Sequence, residues 1–98
     1  AKTVSRFPRS DFDLAFTVPN SQSAGAVMKA LRQAGGSELV DLELFDVYRG
    51  AGLPDNSRSL TFRLCLQASD RTLTDAEVTA TRQKCLDAAA KLGALLRN

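Results

Sequence analysis

The side chains best suited to chemistry in this chain lie close together, within residues 43–66. They are Tyr48, Arg49, Arg58 and Arg63. An aromatic ring can stack on an unpaired base, and an arginine can bind phosphate or a base edge, so this combination is typical of surfaces that bind single-stranded nucleic acid. A second interpretation stays open, in which Tyr48 packs in the core and its hydroxyl bonds a nearby backbone group.

The residues present do not favour catalysis. The chain has no histidine, and no nucleophile stands beside an evident base. The carboxylates that could approach one another on a sheet are expected to be solvated or paired, and they are Asp13, Asp41, Glu43 and Asp46. Cys65 and Cys85 lack the usual zinc spacings, so we expect two free thiols that behave as small hydrophobes. No catalytic residue, metal site or cofactor is predicted for this chain.

Alternating residues predict a strand over about residues 59–67. Leucine or phenylalanine occupies every second position from 60 to 66, with Thr61, Arg63 and Cys65 between them. This is the period-2 pattern of a half-buried strand. One face of the sheet is therefore core, and the other face is expected to be open and mildly basic.

The preceding strand contains a break in the alternation. Leu44 and Val47 fall on opposite faces unless one extra residue is inserted between them. A β-bulge near Phe45 or Asp46 would turn Val47 inward and Tyr48 outward. The bulge thus decides whether the tyrosine reaches the open face.

Two helices are predicted by their caps and their apolar stripes. Ser21 or Ser23 can cap a first helix, which ends at the glycine pair of residues 35–36. Thr74 and Glu77 form a capping box at the start of a second helix.

The element order defines the fold class. Alternation predicts strands over residues 12–18, 39–48 and 59–67, and residues 94–97 either make a short last strand or fray. The result is an α+β, ferredoxin-like βαββαβ sandwich, with two helices on one face of a four-stranded antiparallel sheet. The predicted core residues are Leu14, Phe16, Val27, Leu31, Leu44, Phe62, Leu64, Val78, Cys85 and Ala89.

Length and charge limit what the chain can be. With 98 residues it is one domain with a modest core, and residues 1–11, around Phe7 and Arg9, are expected to form an extended N-terminal arm. Thirteen basic residues against eleven acidic ones give a formal charge of +2. That is too little for a protein that grips a duplex unaided, so any nucleic-acid contact is expected to be local.

Targeting signals are not evident in the sequence. Neither a membrane span nor a leader is predicted, which favours the cytoplasm. The chain begins with Ala1 and its only methionine is Met28, so we expect a processed chain or, more in keeping with its size, a piece of a longer protein.

Three motifs resemble one known family. LFDVYRG at residues 44–50, SLTFRL at 59–64 and DRTLTDAEV at 70–78 occur in the order seen in the ferredoxin-fold anticodon-binding domain, the C-terminal domain of the bacterial phenylalanyl-tRNA synthetase beta subunit. The resemblance runs from Phe7 to Arg97 and supports the short last strand. Phe12 stands where the family usually has an arginine, so that arginine's contact is not carried over.

The resemblance implies a function and a set of partners. The parent enzyme would join phenylalanine to its tRNA with ATP and magnesium, as a tetramer of two alpha and two beta subunits with catalysis in the alpha subunit. This domain would bind the anticodon stem-loop and have no activity alone. Tyr48 would stack on an anticodon base while three arginines contact phosphate or base edges, with Phe45 and Arg9 as further candidate contacts. These arginines are Arg49, Arg58 and Arg63. The alternatives are a non-RNA interaction surface and a regulatory module that binds a small molecule.

Overall fold

The computed structural model describes residues 7–97, which form one sheet and two helices. In chain order the elements are β1 (Ser10–Pro19), α1 (Ala24–Gly35), a 3-10 turn (Gly36–Glu38), β2 (Leu39–Tyr48), β3 (Ser57–Leu66), α2 (Asp75–Ala90) and β4 (Leu95–Leu96). The strands lie in the order β2-β3-β1-β4, and all neighbours are antiparallel. The predicted ferredoxin-like architecture is confirmed. Neither described helix is long and apolar enough to cross a membrane.

The N-terminal arm is shorter than predicted. Because β1 begins at Ser10, the last two residues of the predicted arm belong to the sheet. Residues 1–6 of that arm lie outside the described residues. Phe7 lies near the end of β3, where the carbonyl of Phe7 accepts a hydrogen bond of 2.7 Å from the side-chain amide of Gln67.

The core lies between the helices and one face of the sheet. Alternate residues of β1 and β3 pair on this face, as Leu14 does with Phe62 and Phe16 with Leu60, and all four are completely buried. The rings of Phe16 and Phe62 meet edge to face with centroids 6.2 Å apart. Eight of the ten predicted core residues are buried. The two that are partly buried, at the margin of the core, are Leu44 and Val78.

Both helices begin with the caps that the sequence predicted. The hydroxyl of Ser23 accepts a first-turn amide at 3.1 Å, so Ser23 rather than Ser21 is the N-cap of α1. Gly36 follows α1 with a φ of 62°, a conformation that favours glycine. Thr74 and Glu77 form the predicted capping box of α2.

The predicted bulge in β2 is confirmed. The register with β3 shifts between Leu44 and Asp46, which makes Phe45 the extra residue. Val47 consequently lies opposite Leu60, on the helix side of the sheet. The prediction that Val47 is inward is only partly right, because Val47 lies outside the core cluster and stays 49% exposed.

A second shift in β2 was not predicted. It lies between Leu39 and Asp41, and it allows Leu39 and Leu42 to be buried although they are three residues apart. That spacing is itself the sequence signal of an inserted residue, since a regular strand would place the two leucines on opposite faces.

The two cysteines lie on opposite faces of the sheet. Cys85, on α2, is in the core, where its thiol donates to the carbonyl of Leu31 and burial raises its pKa to about 11. Cys65, on β3, faces away from the helices and contacts Arg9, and burial raises its pKa as well. Both are free thiols in the structure.

Candidate nucleic-acid interface

On the sheet face turned away from the helices, the two central strands carry only small side chains where they pass the ends of β2 and β4. In the two central strands, Ala15 pairs with Thr61 and Thr17 pairs with Ser59. We call these four residues the small-residue floor. Longer side chains rise from the strands on either side of it, so the floor is the bottom of a shallow trough.

Tyr48 stands at one side of the floor, at the end of β2 and opposite Ser59. Its side chain is 41% exposed, so the interpretation that packs it in the core is wrong. The hydroxyl does bond the backbone, since it donates to the carbonyl of Ala51 at 3.0 Å. Gly50 has a φ of 147°, and an added Cβ there would lie 3.1 Å from the hydroxyl. The following loop therefore holds the ring in place, and it needs glycine to do so.

Phe45 and Arg63 form a pair beside the floor. The guanidinium carbon of Arg63 lies 4.5 Å from the centroid of the Phe45 ring, within range of a cation–π contact. Asp13 accepts two hydrogen bonds from the same guanidinium, at 3.1 and 3.4 Å, and these raise the pKa of Arg63. Arg63 is thus already paired with a carboxylate and a ring.

Arg97 forms a second arginine–aromatic pair, which local sequence patterns could not reveal. It follows β4, and its amide donates to the carbonyl of Ala15 at 2.7 Å. Its guanidinium carbon lies 5.9 Å from the centroid of the Tyr48 ring. Because β4 and β2 are the two edge strands, only the strand order brings these residues together. The family resemblance, which implied a last strand, was the one available signal.

Arg49 and Arg9 lie at different ends of the sheet. Arg49 directly follows Tyr48, is exposed, and donates to the side-chain oxygen of Asn20 at 3.1 Å. Arg9 contacts Cys65 and lies 3.9 Å from a carboxylate oxygen of Asp41. On β3, six residues separate this end from the Tyr48 end, or about 20 Å. The structure therefore brings Arg49 to Tyr48 and keeps Arg9 apart.

Arg58 lies on the other face of the sheet, which corrects the prediction that it contacts RNA. It pairs with Val18 in the register and is 7% exposed. Its guanidinium donates to the carbonyls of Pro19 and Gln22, both at 2.9 Å. These bonds tie β3 to the connection between β1 and α1. A sequence signal existed, because Arg58 has the same strand parity as Leu60.

Charge is divided unevenly over this face. The end that holds Arg9 and Arg63 carries four carboxylates, which belong to Asp11, Asp13, Asp41 and Glu43. The end that holds Tyr48 carries Arg97, with Arg49 just beyond the end of β2 and Asp46 between the two ends. A phosphate backbone is therefore attracted to the Tyr48 end and repelled from the other.

The fold and this surface together define a class of protein. A ferredoxin-like sheet that presents exposed rings beside arginines, on the face without helices, has the residue types by which proteins bind unpaired bases. The structure thus describes a small binding domain of the ferredoxin-like type.

Comparison with known proteins narrows this class to one family. The profile described as the ferredoxin-fold anticodon binding domain matches residues 5–97, and the chain belongs to that family. The predicted family is therefore confirmed. Among the proteins that the chain is similar to are several named phenylalanine–tRNA ligase beta subunit. The one from a Synechococcus species is 50% identical over 80 residues, which cover 82% of this chain and 10% of that protein.

Two other relatives match over nearly the whole chain. The protein from Leifsonia xyli is 45% identical over 98 residues, and the one from Trichormus variabilis is 46% identical over 98 residues. Each alignment covers 99% of this chain and 12% of the relative. The chain thus spans about a tenth of the length of the curated relatives it matches.

Proposed function

We propose that this chain binds the anticodon stem-loop of phenylalanine tRNA, as the C-terminal part of a phenylalanine–tRNA ligase beta subunit. The observation that carries the proposal is the exposed ring of Tyr48, held over the open sheet face by its bond to Ala51. The family and the names of the relatives support the choice of RNA. The domain acts by binding alone.

Each part of the interface has a role in this proposal. The Tyr48 ring stacks on an unpaired base of the loop, and Phe45 offers a second ring. Arg49, next to Tyr48 in the chain, contacts phosphate, and Arg63, already paired with Asp13, contacts a base edge from its place beside Phe45. The acidic end, around Asp41, turns the RNA strand away. The site therefore suits a short single-stranded segment rather than a duplex.

The parent enzyme supplies the catalytic reaction and its cofactors. In this proposal it is a cytoplasmic tetramer of two alpha and two beta subunits, and the alpha subunit joins phenylalanine to tRNA with ATP and magnesium. The present chain positions the tRNA at a distance from that reaction and needs no cofactor of its own.

A ribonuclease protection experiment tests the proposal. The chain is mixed with the anticodon stem-loop of phenylalanine tRNA, and with a blunt duplex made from its stem as the control. We expect protection of loop nucleotides only. Tyr48→Ala should weaken binding by roughly ten- to a hundredfold, since stacking of one base is worth about 1–3 kcal/mol, and should leave the melting temperature almost unchanged.

Two results would count against the proposal. Equal protection of the duplex, or no protection of the loop, contradicts anticodon binding. If Tyr48→Ala unfolds the domain while its folded fraction binds RNA normally, the tyrosine is structural. The contact would then be sought at Phe45.

A further inference from the structure

The contact between Arg97 and Tyr48 bridges the whole width of the sheet. Their strands are the two edges, separated by three strand spacings, or about 14 Å. The guanidinium carbon nevertheless lies 5.9 Å from the ring centroid. Both side chains must therefore extend toward each other above β1 and β3.

The small-residue floor makes this approach possible. Where the two side chains meet, the central strands present only Ala15, Thr17, Ser59 and Thr61. A longer residue at any of these positions would fill the trough. The Tyr48 ring and the Arg97 guanidinium thus lie above the floor, of which Ser59 is only 3% exposed.

The two arginine–aromatic pairs of this face differ in charge. Arg63 is hydrogen-bonded by Asp13. Among residues 7–97, by contrast, no salt bridge of the structure includes Arg97. The charge of Arg97 is therefore available to a ligand, whereas that of Arg63 is largely neutralised.

We propose that Tyr48 and Arg97 are the two walls of a slot that takes one unstacked RNA base between them. This rests on the proposed function, and it adds a second wall that stacking on Tyr48 alone does not require. Two flat groups that both touch a base lie about 7 Å apart, twice the contact distance of roughly 3.5 Å. The guanidinium carbon lies 5.9 Å from the ring centroid, which is more than one contact distance, and Arg97 moves outward to admit the base.

The slot predicts that a flat cation is needed, not only a positive charge. A guanidinium is planar and stacks on rings and bases, whereas a lysine ammonium is a compact point charge. Arg97→Lys should thus keep the electrostatic attraction to RNA and lose the stacking. Without RNA, Arg97 lies beside the Tyr48 ring, which stays 41% exposed.

The chain contains its own probe of the slot. Tyr48 is the only tyrosine and tryptophan is absent, so all tyrosine emission reports on one wall. The experiment titrates the chain with the anticodon stem-loop of phenylalanine tRNA and follows both binding and tyrosine emission. The stem duplex corrects for light absorbed by RNA.

The variants are Tyr48→Ala, Arg97→Ala, the double variant and Arg97→Lys. Arg32→Ala removes a charge from the last turn of α1, on the helix side, and is the matched control.

We expect the wild-type emission to fall as RNA binds. Arg97→Ala should weaken binding roughly three- to thirtyfold, the range between an exposed and a desolvated cation–π contact. In a chain that already carries Tyr48→Ala, Arg97→Ala should weaken RNA binding by less than about threefold, because the base has already lost its other wall. The RNA affinity of Arg97→Lys should be closer to that of Arg97→Ala than to that of the wild type. Arg32→Ala should bind RNA as tightly as the wild type.

Other results would overturn the slot. If the losses from Tyr48→Ala and Arg97→Ala multiply, the two residues act independently. If Arg97→Lys binds like the wild type, with the same quenching of emission, Arg97 is only a phosphate contact. In both cases the wild type still binds the loop, and the proposed function survives. A wild-type chain that does not bind the loop at all overturns both proposals. Melting curves confirm that each variant is folded.

Discussion

The two faces of the sheet are made from alternate residues of the same strands, yet they differ in almost every physical respect. On the covered face of β3, Leu60, Phe62 and Leu64 are fully buried. On the open face of the same strand, Thr61 and Arg63 are accessible to solvent. Stability and the candidate nucleic-acid interface therefore depend on interleaved sets of residues, and a change in one set should leave the other largely intact.

The strongest test of this separation is Phe62→Ala. It removes a buried ring that contacts Phe16, and we expect a loss of about 3–5 kcal/mol in the free energy of unfolding. Its neighbour Thr61, on the small-residue floor, supplies the control, since Thr61→Ala should cost less than about 1 kcal/mol. Urea unfolding measures both. Similar losses for the two variants would show that the faces are not distinct.

Arg58→Met tests a charged residue that belongs to the covered face. The substitution keeps an unbranched apolar stem and leaves two carbonyl oxygens without their donors. We expect a loss of about 2–4 kcal/mol in unfolding free energy and no change in RNA affinity of the folded protein. Arg58→Lys cannot bond both carbonyls, so its free energy of unfolding should lie between those of the wild type and Arg58→Met. Weaker RNA binding by a fully folded Arg58→Met protein would return Arg58 to the interface.

Asp13→Asn sharpens the contrast within the open face. It removes the carboxylate that pairs with Arg63, and so frees the guanidinium for phosphate. We expect tighter binding of the stem-loop at low salt, and a salt dependence steeper by up to about 0.7 in log–log slope, the value of one single-strand phosphate contact. Binding isotherms at several salt concentrations measure both. If Asp13→Asn leaves the slope unchanged, Arg63 does not reach phosphate.

The smallest effect is expected away from the sheet, at the start of α2. Hydrogen bonding from Arg71, with help from the Thr74 amide, lowers the pKa of Glu77 to about 2. Because the folded pKa lies below that of the unfolded chain, ionised Glu77 stabilises the fold above pH 4.5, and its contribution is lost as the pH falls toward about 2.

Glu77→Gln isolates that contribution, since glutamine can keep the capping-box bond but has no charge. The variant should have a lower melting temperature than the wild type at neutral pH. The difference in melting temperature should shrink as the pH is lowered from about 4.5 to 2. A gap that does not vary with pH would assign the effect to geometry rather than to the charge of Glu77.

The sequence specified the covered face more fully than the open one. Alternation in β3, the caps at Ser23 and Thr74, and the bulge at Phe45 are local patterns, and each lies where it was predicted. The burial of Arg58 follows the same alternation, although arginine as a residue type favours an exposed position. Its long stem and the carbonyls within its reach made burial possible.

The Arg97–Tyr48 pair depends on information that no local pattern contains. It requires β4 to lie beside β1 and β2 to lie beside β3, and both pairings join parts of the chain that are distant in sequence. The charge division has the same origin, since Asp11 and Asp41 become neighbours only through Cys65. Non-local register, rather than composition, thus creates the candidate site.

The bulge at Phe45 has a consequence for how this segment tolerates changes in length. Deleting Asp46 would leave Leu44 and Val47 two positions apart, so that a regular strand without the bulge would keep Val47 opposite Leu60 and Tyr48 opposite Ser59. A one-codon deletion would therefore be absorbed by loss of the bulge, with Phe45 in the place of Asp46 opposite Thr61. In the same way, extra residues at 51–56, in the turn after β2, would lengthen a surface loop and leave the phase of both strands intact.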